Sequence, residues 1–350
     1  KEKNYFFKMS KYQQALIDHI GSNKNFIRPE HRKNEILGFL RQPLSDLCIS
    51  RPKSRMSWGI DLPFDNDYVT YVWFDALINY ITAVGYGIDE KSFDKWWPAN
   101  MHLIGKDILT THAVYWPTML MSAGIDLPQT IFAHGWWLMG DSKMSKSLGN
   151  VINPMDLIED YGVDPVRYYL MREMVLGQDA NFTMESFIKR YNADLANDLG
   201  NLLSRVTNLI VKNFDGKVPN YGEFSSQESG MIKTANELSN IISQKIDDMK
   251  IHDAVEETFQ FVRSINRYLE ETAPWKLVKD DKDATARVLY SAAEALRIAA
   301  IILEPIMPNR MIDLLNALGT NNTKITWGEL QIGSEITKGE PLFPRIQVKD

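Results

Sequence analysis

The fold of this chain is decided by residues 100–140, which read NMHLIGKDILTTHAVYWPTMLMSAGIDLPQTIFAHGWWLMG. The apolar runs NMHLIG and QTIFAHGWWLMG predict buried strands, and KDILTTHAVYWPTMLMSAG between them predicts a helix. Upstream, the β-branched and aromatic run DYVTYVWFD predicts another strand, and ALINYITAVGYG predicts a helix with Asp75 as its N-cap. Strands that alternate with helices are typical of a parallel sheet, which binds ligands beyond the carboxyl ends of its strands.

The residues at the carboxyl ends of the predicted strands are the first candidates for a ligand site. They are Trp73–Ala76, Gly105–Asp107 and His134–Trp137. A glycine at a strand end lets the backbone come close to a ligand, and the first N–H groups of a following helix attract anions or hydroxyls. Gly105 and Asp107 have this placement.

The rest of the chain is predicted to be mostly helical. Before the sheet, short helices are predicted around Tyr12–His19 and His31–Arg41. After about Met184, one apolar stripe at helical spacing comprises Leu195, Leu199, Leu202, Val206 and Leu209. Further amphipathic helices are predicted near 228–248, 253–271 and 283–303. Long helices joined by short breaks predict a bundle.

Length and composition exclude several classes of protein. The chain has 350 residues, enough for two or three domains, and a net charge of −6, which excludes an overall basic coat for nucleic acid. A local groove of Lys and Arg is still compatible with RNA binding. No stretch approaches the roughly 18 apolar residues of a membrane span, and KEKNYFFKMSKYQ lacks the apolar core of a signal peptide. We therefore expect a cytoplasmic protein that does not bind a membrane.

Metal and disulfide sites are not expected within this chain. Cys48 is the only cysteine, and the six histidines lack metal-ligand spacing. A single cysteine excludes a disulfide framework and a cysteine zinc site.

The most specific motif is DSKMSKSLGN at residues 141–150. It places Lys143 and Lys146 three positions apart in a loop of small and hydroxyl-bearing residues. Such a loop suits a polyphosphate, because ammonium groups stabilise the charge of a departing pyrophosphate and a mobile loop can close over the nucleotide. A generic Lys/Ser-rich loop is more often a solvated turn, so the interpretation depends on the surrounding sequence.

The surrounding sequence resembles a known family. KMSKS at 143–147 is identical to the motif of class I aminoacyl-tRNA synthetases, and it follows the last predicted strand, as in those enzymes. Three segments resemble the methionyl-tRNA synthetase family, namely YVWFDALINYI (71–81), HLIGKDILTTHAVYWP (102–117) and FAHGWW (132–137). The resemblance continues through the helical region to PLFPRI near the end of the chain.

The resemblance implies a fold that is α/β plus all-α. It consists of the second half of a Rossmann-like, parallel-sheet catalytic domain followed by an α-helical anticodon-binding bundle. We expect four regions: the helical end of an inserted connective region (1–65), the second half of the Rossmann-like domain (66–140), the KMSKS loop with a stem-contact segment (141–190), and the anticodon-binding domain (191–350).

The resemblance also implies a methionine pocket. A thioether side chain is long and apolar, and its sulfur favours aromatic edges, so an aromatic pocket with few polar groups suits it. Ile108, His112 and Trp116 recur every four residues and are expected on one helix face, as are Ala76 and Tyr80. The positions that match the family pocket are Val72, Trp73, Ala76, Leu77, Tyr80, Ile108, His112 and Trp116. Taken singly, several of these would more simply be core residues.

Two positions depart from the family pattern. Leu77 and Thr111 stand where many members carry proline and an aromatic residue, so we expect a somewhat different pocket shape.

The nucleotide site is implied in the same way. Lys143 and Lys146 are the candidate catalytic residues, and the expected ATP-binding residues of the loop are Lys143, Met144, Ser145, Lys146 and Ser147. The resemblance places Gly105 and Asp107 at the ATP ribose or the methionine end of the adenylate, and His134, Gly135 and Trp136 beside the adenine. Mg²⁺ is expected to accompany ATP.

The helical region carries candidate RNA contacts. Asn201 and Arg205 are one turn apart and face away from the apolar stripe, and Trp275 follows a proline at a predicted helix end. An amide and a guanidinium can bond base edges, while an indole stacks on an unpaired base. Without the family, a solvated helix face and a packing anchor would be the simpler interpretations. The resemblance implies that these three residues contact the anticodon.

The implied activity is methionine–tRNA ligation, in which methionine is activated by ATP and transferred to tRNA(Met). The HIGH motif of the family's amino-terminal half does not occur in the sequence. We therefore expect that this chain alone does not activate methionine, and that a separate amino-terminal half carrying HIGH is a candidate partner. The alternatives are a class I synthetase for another amino acid and a non-catalytic tRNA-binding module.

Overall fold

The computed structural model describes residues 2–140, 142–144 and 152–347, and for Ser142 and Lys143 it describes only the backbone. The chain forms two compact units, Lys1–Trp136 and Trp137–Asp350. We call them the amino-terminal unit and the carboxy-terminal unit.

The amino-terminal unit combines short strands with short helices. Its strands are β1 (Phe6–Phe7), β2 (Ile27–Arg28), β3 (Leu47–Cys48), β4 (Ser50–Pro52), β5 (Asp61–Leu62), β6 (Asp65–Thr70), β7 (His102–Gly105) and β8 (Ile131–His134). Its α-helices are α1 (Gln13–Ser22), α2 (Glu30–Phe39), α3 (Val72–Ala76), α4 (Asn79–Thr82), α5 (Glu90–Trp96) and α6 (Trp116–Ala123). A 3₁₀ turn (Lys106–Ile108) and a π-helical turn (Thr111–Tyr115) precede α6.

The central sheet of this unit is parallel, as the sequence predicts. Its strand order is β2-β8-β7, and β8 pairs in parallel with both neighbours. His102 lies opposite Ile131, and Gly105 lies opposite His134, so the carboxyl ends of β7 and β8 meet at one edge. The strands β7 and β8 confirm two predicted strands, whereas the short strand β2 was not predicted.

The strand predicted over DYVTYVWFD is only partly correct. β6 ends at Thr70 and pairs antiparallel with β4 and β5 in a separate sheet. The next residues form α3, in which the Phe74 and Asp75 amides both donate to the Tyr71 carbonyl, so Asp75 lies within the helix rather than capping it. Val72 in α3 is 61% exposed, so this part of the run is not the buried strand that the sequence predicts. The tertiary context overrides the β propensity of the run.

The carboxy-terminal unit begins with a small sheet and continues as a helical bundle. Its strands are β9 (Trp137–Met139), β10 (Ser142–Lys143) and β11 (Ala180–Asn181). β9 pairs antiparallel with β10 and parallel with β11. The helices are α7 (Pro154–Tyr161), α8 (Val163–Glu173), α9 (Met184–Arg190), a π-helical segment (Tyr191–Gly200), α10 (Asn201–Asn213), α11 (Ser226–Asp247), α12 (Ile251–Thr272), α13 (Pro274–Leu277), α14 (Lys282–Leu303) and α15 (Pro308–Ala317).

The predicted bundle is confirmed. The three long helices α11, α12 and α14 pack against one another, and they match the predicted helices within two residues at each end. The predicted apolar stripe faces the core: Leu195, Leu199, Leu202 and Val206 are buried, and Leu209 packs against them. None of the helices in the described part of the chain is long and apolar enough to span a membrane.

Candidate functional site

Tyr80 and His112 form the centre of an aromatic cluster in the amino-terminal unit. Tyr80 Oη lies 2.9 Å from His112 Nε2, and His112 Nδ1 lies 3.0 Å from the Ile108 carbonyl oxygen. A carbonyl only accepts, so Nδ1 carries the hydrogen. Burial lowers the pKa of His112, which favours the neutral ring, so Nε2 accepts the hydrogen bond from Tyr80. Burial raises the pKa of Tyr80, and the hydroxyl therefore keeps its proton.

Two tryptophans complete the cluster. The Trp73 ring meets His112 edge-on at 6.3 Å and 79°, and the Trp116 ring centre lies 6.0 Å from that of Tyr80. Trp116 and Leu77 are buried in one apolar cluster, against which Trp73 packs. The arrangement places aromatic rings around two hydrogen-bonded polar groups, the residue types that commonly line small-molecule sites.

The structure does not bring all the predicted pocket residues together. Trp73, Leu77, Tyr80, His112 and Trp116 adjoin one another through the contacts above. Ile108 contacts His112 through its backbone carbonyl oxygen, and its side chain packs against another apolar cluster. Val72 and Ala76 on α3 are exposed. The helix that carries His112 is π-helical over Thr111–Tyr115, so the four-residue spacing of an ideal α-helix does not hold throughout. π-Helical turns occur frequently at functional sites.

His102 belongs to the same cluster, although the sequence reasoning missed it. It is 5% exposed, and its Nε2 accepts a hydrogen bond of 3.2 Å from the Trp116 indole N–H. Burial and, to a lesser extent, the neighbouring His112 lower the pKa of His102 to about 4. The signal in the sequence was that His102 is the one polar residue of the apolar strand HLIG (102–105).

A second group of predicted residues lies at the carboxyl edge of the parallel sheet. A side chain at position 105 would place Cβ 2.6 Å from Asp107 Oδ1 and 3.8 Å from the His134 ring, so the Asp107 side chain would have to shift. The Trp136 indole N–H points towards Asp107 Oδ1 at 3.4 Å. Lys106 Nζ lies 4.1 Å from the centre of the Trp136 ring, a cation–π contact that the sequence did not predict. Gly105, Asp107, His134 and Trp136 are thus neighbours, and Gly135 lies between the last two.

The KMSKS motif is described only at its beginning. The Lys143 backbone continues β10 opposite Leu138, and the partly buried Met144 packs against an apolar cluster that includes Tyr169 and Phe182. The Lys143 side chain and residues Ser145, Lys146 and Ser147 lie outside the described residues.

The predicted RNA contacts share one surface of the carboxy-terminal unit. The Arg205 guanidinium lies 5.2 Å from the centre of the Trp275 ring and forms an ion pair of 2.7 Å with Glu270. Trp275 is 36% exposed and follows Pro274 at the start of α13. Ala273, with a positive φ of 42°, stands between α12 and α13. Asn201 is exposed one turn before Arg205 on α10. An exposed indole, a guanidinium and an amide therefore lie on adjacent elements.

Metal ligands do not cluster in the part of the chain that the structure describes. No three His, Cys, Asp or Glu side chains there lie close enough together to hold a metal ion.

Comparison with known proteins identifies the family. The model of the family described as tRNA synthetases class I (M) matches residues 1–207. The chain belongs to this family. A second model, described as the anticodon binding domain of methionyl tRNA ligase, matches residues 218–350.

Curated relatives share the family. The methionine–tRNA ligase of Clostridium tetani is 45% identical over 100% of this chain, and that of Bacillus subtilis is 42% identical, again over 100%. The chain covers 55% and 54% of these two proteins, so it spans about half the length of the curated relatives it matches.

Solved structures agree. Mycobacterium tuberculosis methionyl-tRNA synthetase in complex with methionyl-adenylate has a TM-score of 0.92 at 41% identity, with 98% of this chain and 69% of that chain covered. The apo form of the same enzyme gives 0.90 at 38% identity. The predicted resemblance and fold class are confirmed, while the roles of the site residues and the four region boundaries remain predictions.

Proposed function

We propose that this chain is part of a methionine–tRNA ligase, which activates methionine with ATP and transfers it to tRNA(Met). The family of the chain and the names of its relatives support the reaction class. The observation that carries the proposal is the packing of Trp73, Tyr80, His112 and Trp116 into one cluster, because its aromatic walls suit a thioether.

The methionine side chain is proposed to bind within this cluster. Val72, Ala76, Leu77 and Ile108 would complete the lining. The neutral His112 holds the Tyr80 hydroxyl in a fixed direction, so the pocket presents a fixed polar group without a net charge. An uncharged pocket favours an uncharged side chain over lysine or glutamate, since burying an unpaired charge is costly.

ATP is proposed to bind at the carboxyl edge of the parallel sheet, at Gly105, Asp107, His134, Gly135 and Trp136. The KMSKS loop (143–147) would contribute Lys143, Met144, Ser145, Lys146 and Ser147. Gly105 leaves space for close approach, since a Cβ there would lie 2.6 Å from Asp107 Oδ1 and would displace that side chain. The stacked pair of Lys106 and Trp136 adds a cation and an aromatic face beside the proposed adenine position.

The reaction needs no covalent bond to the protein. A methionine carboxylate oxygen attacks the α-phosphorus, a new P–O bond forms, and the bond to the departing pyrophosphate breaks. A ribose hydroxyl of the tRNA then attacks the methionyl carbonyl, loses its proton and releases AMP. Positioning and charge stabilisation supply the acceleration, and Lys143 and Lys146 are proposed to neutralise the pyrophosphate.

Mg²⁺ is proposed to be bound mainly by the ATP phosphates. The described residues include no cluster of carboxylates that could hold it, and Mg²⁺ commonly uses substrate phosphates together with few protein ligands. It would neutralise phosphate charge during the first step.

The anticodon of tRNA(Met) is proposed to bind at Asn201, Arg205 and Trp275. The exposed Trp275 offers a stacking face for an unpaired base, and the Arg205 guanidinium beside it offers donors for a base edge or a phosphate.

We further propose the expected division of the chain into the regions 1–65, 66–140, 141–190 and 191–350, and a cytoplasmic location where translation takes place. The complete activity is proposed to need residues with the HIGH motif, which this sequence lacks.

The proposal is tested by aminoacylation of tRNA(Met) with the complete gene product that contains this chain. Methionine should be attached, whereas leucine, isoleucine and valine should not. Tyr80→Ala should raise the methionine KM by about tenfold or more, while the matched control Tyr86→Ala, an exposed tyrosine of the same unit, should not. Binding of tRNA without attachment of any amino acid would instead indicate a non-catalytic module.

A further inference from the structure

His102 occupies an unusual place for a polar residue. It is the first residue of β7, where its backbone N–H donates to the Thr130 carbonyl at 2.8 Å. Its side chain is buried against residues of α4 and α6, whereas the next residue, Leu103, is exposed. A buried imidazole must have partners for its nitrogens or pay a desolvation penalty, so its contacts are informative.

The contact with Trp116 fixes the tautomer of His102. An indole N–H can only donate, so His102 Nε2, at 3.2 Å from Trp116 Nε1, must be an unprotonated acceptor. The ring therefore carries its single hydrogen on Nδ1. The low pKa of about 4 agrees with a neutral imidazole at physiological pH. If His102 were protonated, its Nε2–H and the Trp116 indole N–H would both be donors and would face each other.

The face of the same imidazole supports Tyr80. The ring centres of His102 and Tyr80 are 4.3 Å apart, and the planes are inclined by 37°. Tyr80 is held at its other end, because its hydroxyl donates to His112 Nε2. The orientation of the Tyr80 ring thus depends on His102 at the ring face and on His112 at the hydroxyl.

One buried side chain therefore contacts two aromatic rings of the proposed pocket, Trp116 and Tyr80. Trp116 belongs to α6 and Tyr80 belongs to α4, and their ring centres are 6.0 Å apart. Trp97 lies behind His102 at a ring distance of 6.0 Å, with its own indole N–H donated to the Asp126 carbonyl.

We propose that His102 is a positioning residue for amino-acid recognition: its Nε2 lone pair orients the Trp116 indole and its ring face orients Tyr80. This inference rests on the proposed function, in which Trp116 and Tyr80 contact methionine. His102 itself acts through these two rings and is not proposed to touch the substrate.

The test compares three single variants and one double variant of the complete gene product in methionine-dependent ATP–pyrophosphate exchange. His102→Leu keeps the bulk but removes the acceptor, His102→Gln restores an acceptor oxygen near the Nε2 position, and Trp116→Phe removes the donor. His19→Leu is the matched control, because His19 lies on α1, where it contacts Phe26 and Asn23.

His102→Leu is expected to raise the methionine KM about tenfold, since it leaves the buried Trp116 N–H without an acceptor. The KM for ATP and the kcat should change by less than about threefold, because His102 is proposed to orient only the two rings that contact the methionine side chain. His102→Gln should recover most of the methionine KM. In a Trp116→Phe background, His102→Leu should add little, since the hydrogen bond is already absent.

The opposite results would overturn the inference. If His102 has only a structural role, His102→Leu should lower the melting temperature, while the folded variant should keep the methionine KM of the wild type. If His102→Leu does not fold, Trp116→Phe still decides, because it removes the same hydrogen bond from the donor side, and a methionine KM equal to that of the wild type would overturn the inference. Wild-type protein that shows no methionine-dependent exchange would refute the proposed function itself, which separates the two failures.

Discussion

The guanidinium of Arg205 lies 5.2 Å from the centre of the Trp275 ring and 2.7 Å from a Glu270 carboxylate oxygen. Three helices, α10, α12 and α13, thus bring a cation, an anion and an aromatic ring to one exposed surface. The carboxylate neutralises the guanidinium in the absence of RNA, and an RNA phosphate or base edge would have to compete with it.

Trp275→Ala should weaken tRNA(Met) binding by about tenfold, because one stacked base loses its platform. The tRNA KM in aminoacylation measures the effect, and the methionine KM should not change. Trp58→Ala, which removes an exposed tryptophan of the amino-terminal unit, is the matched control. An equal loss of tRNA binding in both variants would contradict the assignment.

Glu270→Gln should strengthen tRNA binding by roughly twofold, because the exposed carboxylate no longer competes with RNA for Arg205. The effect should shrink as salt is raised, since it is electrostatic. Filter binding at two salt concentrations would measure it. Weaker binding in the Gln variant would show that Glu270 supports the RNA-bound geometry instead.

Tyr80→Phe should raise the methionine KM by roughly three- to tenfold. The substitution keeps the ring but leaves His112 Nε2 without the Tyr80 hydroxyl that donates to it. Steady-state ATP–pyrophosphate exchange gives the value, and Tyr86→Phe is the control. An unchanged KM would mean that the Tyr80–His112 hydrogen bond does not shape the pocket.

Arg297→Leu should destabilise the carboxy-terminal unit by about 3–5 kcal/mol, because it leaves the carboxylate of Glu294 buried without its partner. Both side chains are fully buried, and their nitrogen and oxygen atoms are 2.7 Å apart. Arg297 also donates to the Asn322, Lys324 and Thr326 carbonyls, so the substitution should also remove these hydrogen bonds to the segment 322–326.

Urea unfolding measures this loss, with Lys233→Ala as the control. Lys233 belongs to an exposed pair with Glu237 at 4.0 Å, and its removal should change the free energy of unfolding by no more than about 0.5 kcal/mol. Similar losses in the two variants would contradict the structural role of the buried pair.

The pH dependence of stability should report on His102. Its pKa is about 4 in the folded protein and about 6.5 when unfolded, so between these values the unfolded state binds more protons. The free energy of unfolding should therefore fall as the pH is lowered from about 6.5 to about 4. His102→Gln should reduce this slope by up to about 1.4 kcal/mol per pH unit.

Urea unfolding of both proteins across this pH range is the measurement. The pKa of His112 is lowered as well, so a residual slope should remain in the variant. An identical slope in the wild type and the variant would mean that His102 is protonated in the folded state.

The parts of the fold that were predictable are those with a strong local pattern. β7, β8 and the long helices α11, α12 and α14 carry continuous apolar runs or regular amphipathic spacing, and their positions follow from it. β2 has only two residues, too few for any periodicity. The aromatic run after Thr70 is helical, and its Trp73 and Phe74 side chains pack against an apolar cluster that includes Leu77 and Ile81, a tertiary contact that propensity does not contain.

The candidate site was predictable to a similar extent. Helical spacing grouped Ile108, His112 and Trp116, and the structure brings the last two together around Tyr80. His102 escaped because its role depends on a contact between β7 and α6, which no local spacing reveals. Lys106 escaped for the same reason, since its partner, Trp136, follows another strand.

Methionine-dependent ATP–pyrophosphate exchange by the complete gene product tests the central claim most directly. Exchange should require methionine and should not be supported by leucine, isoleucine or valine. Exchange that depends on another amino acid, or no exchange with any amino acid from a folded protein that still binds tRNA, would contradict it.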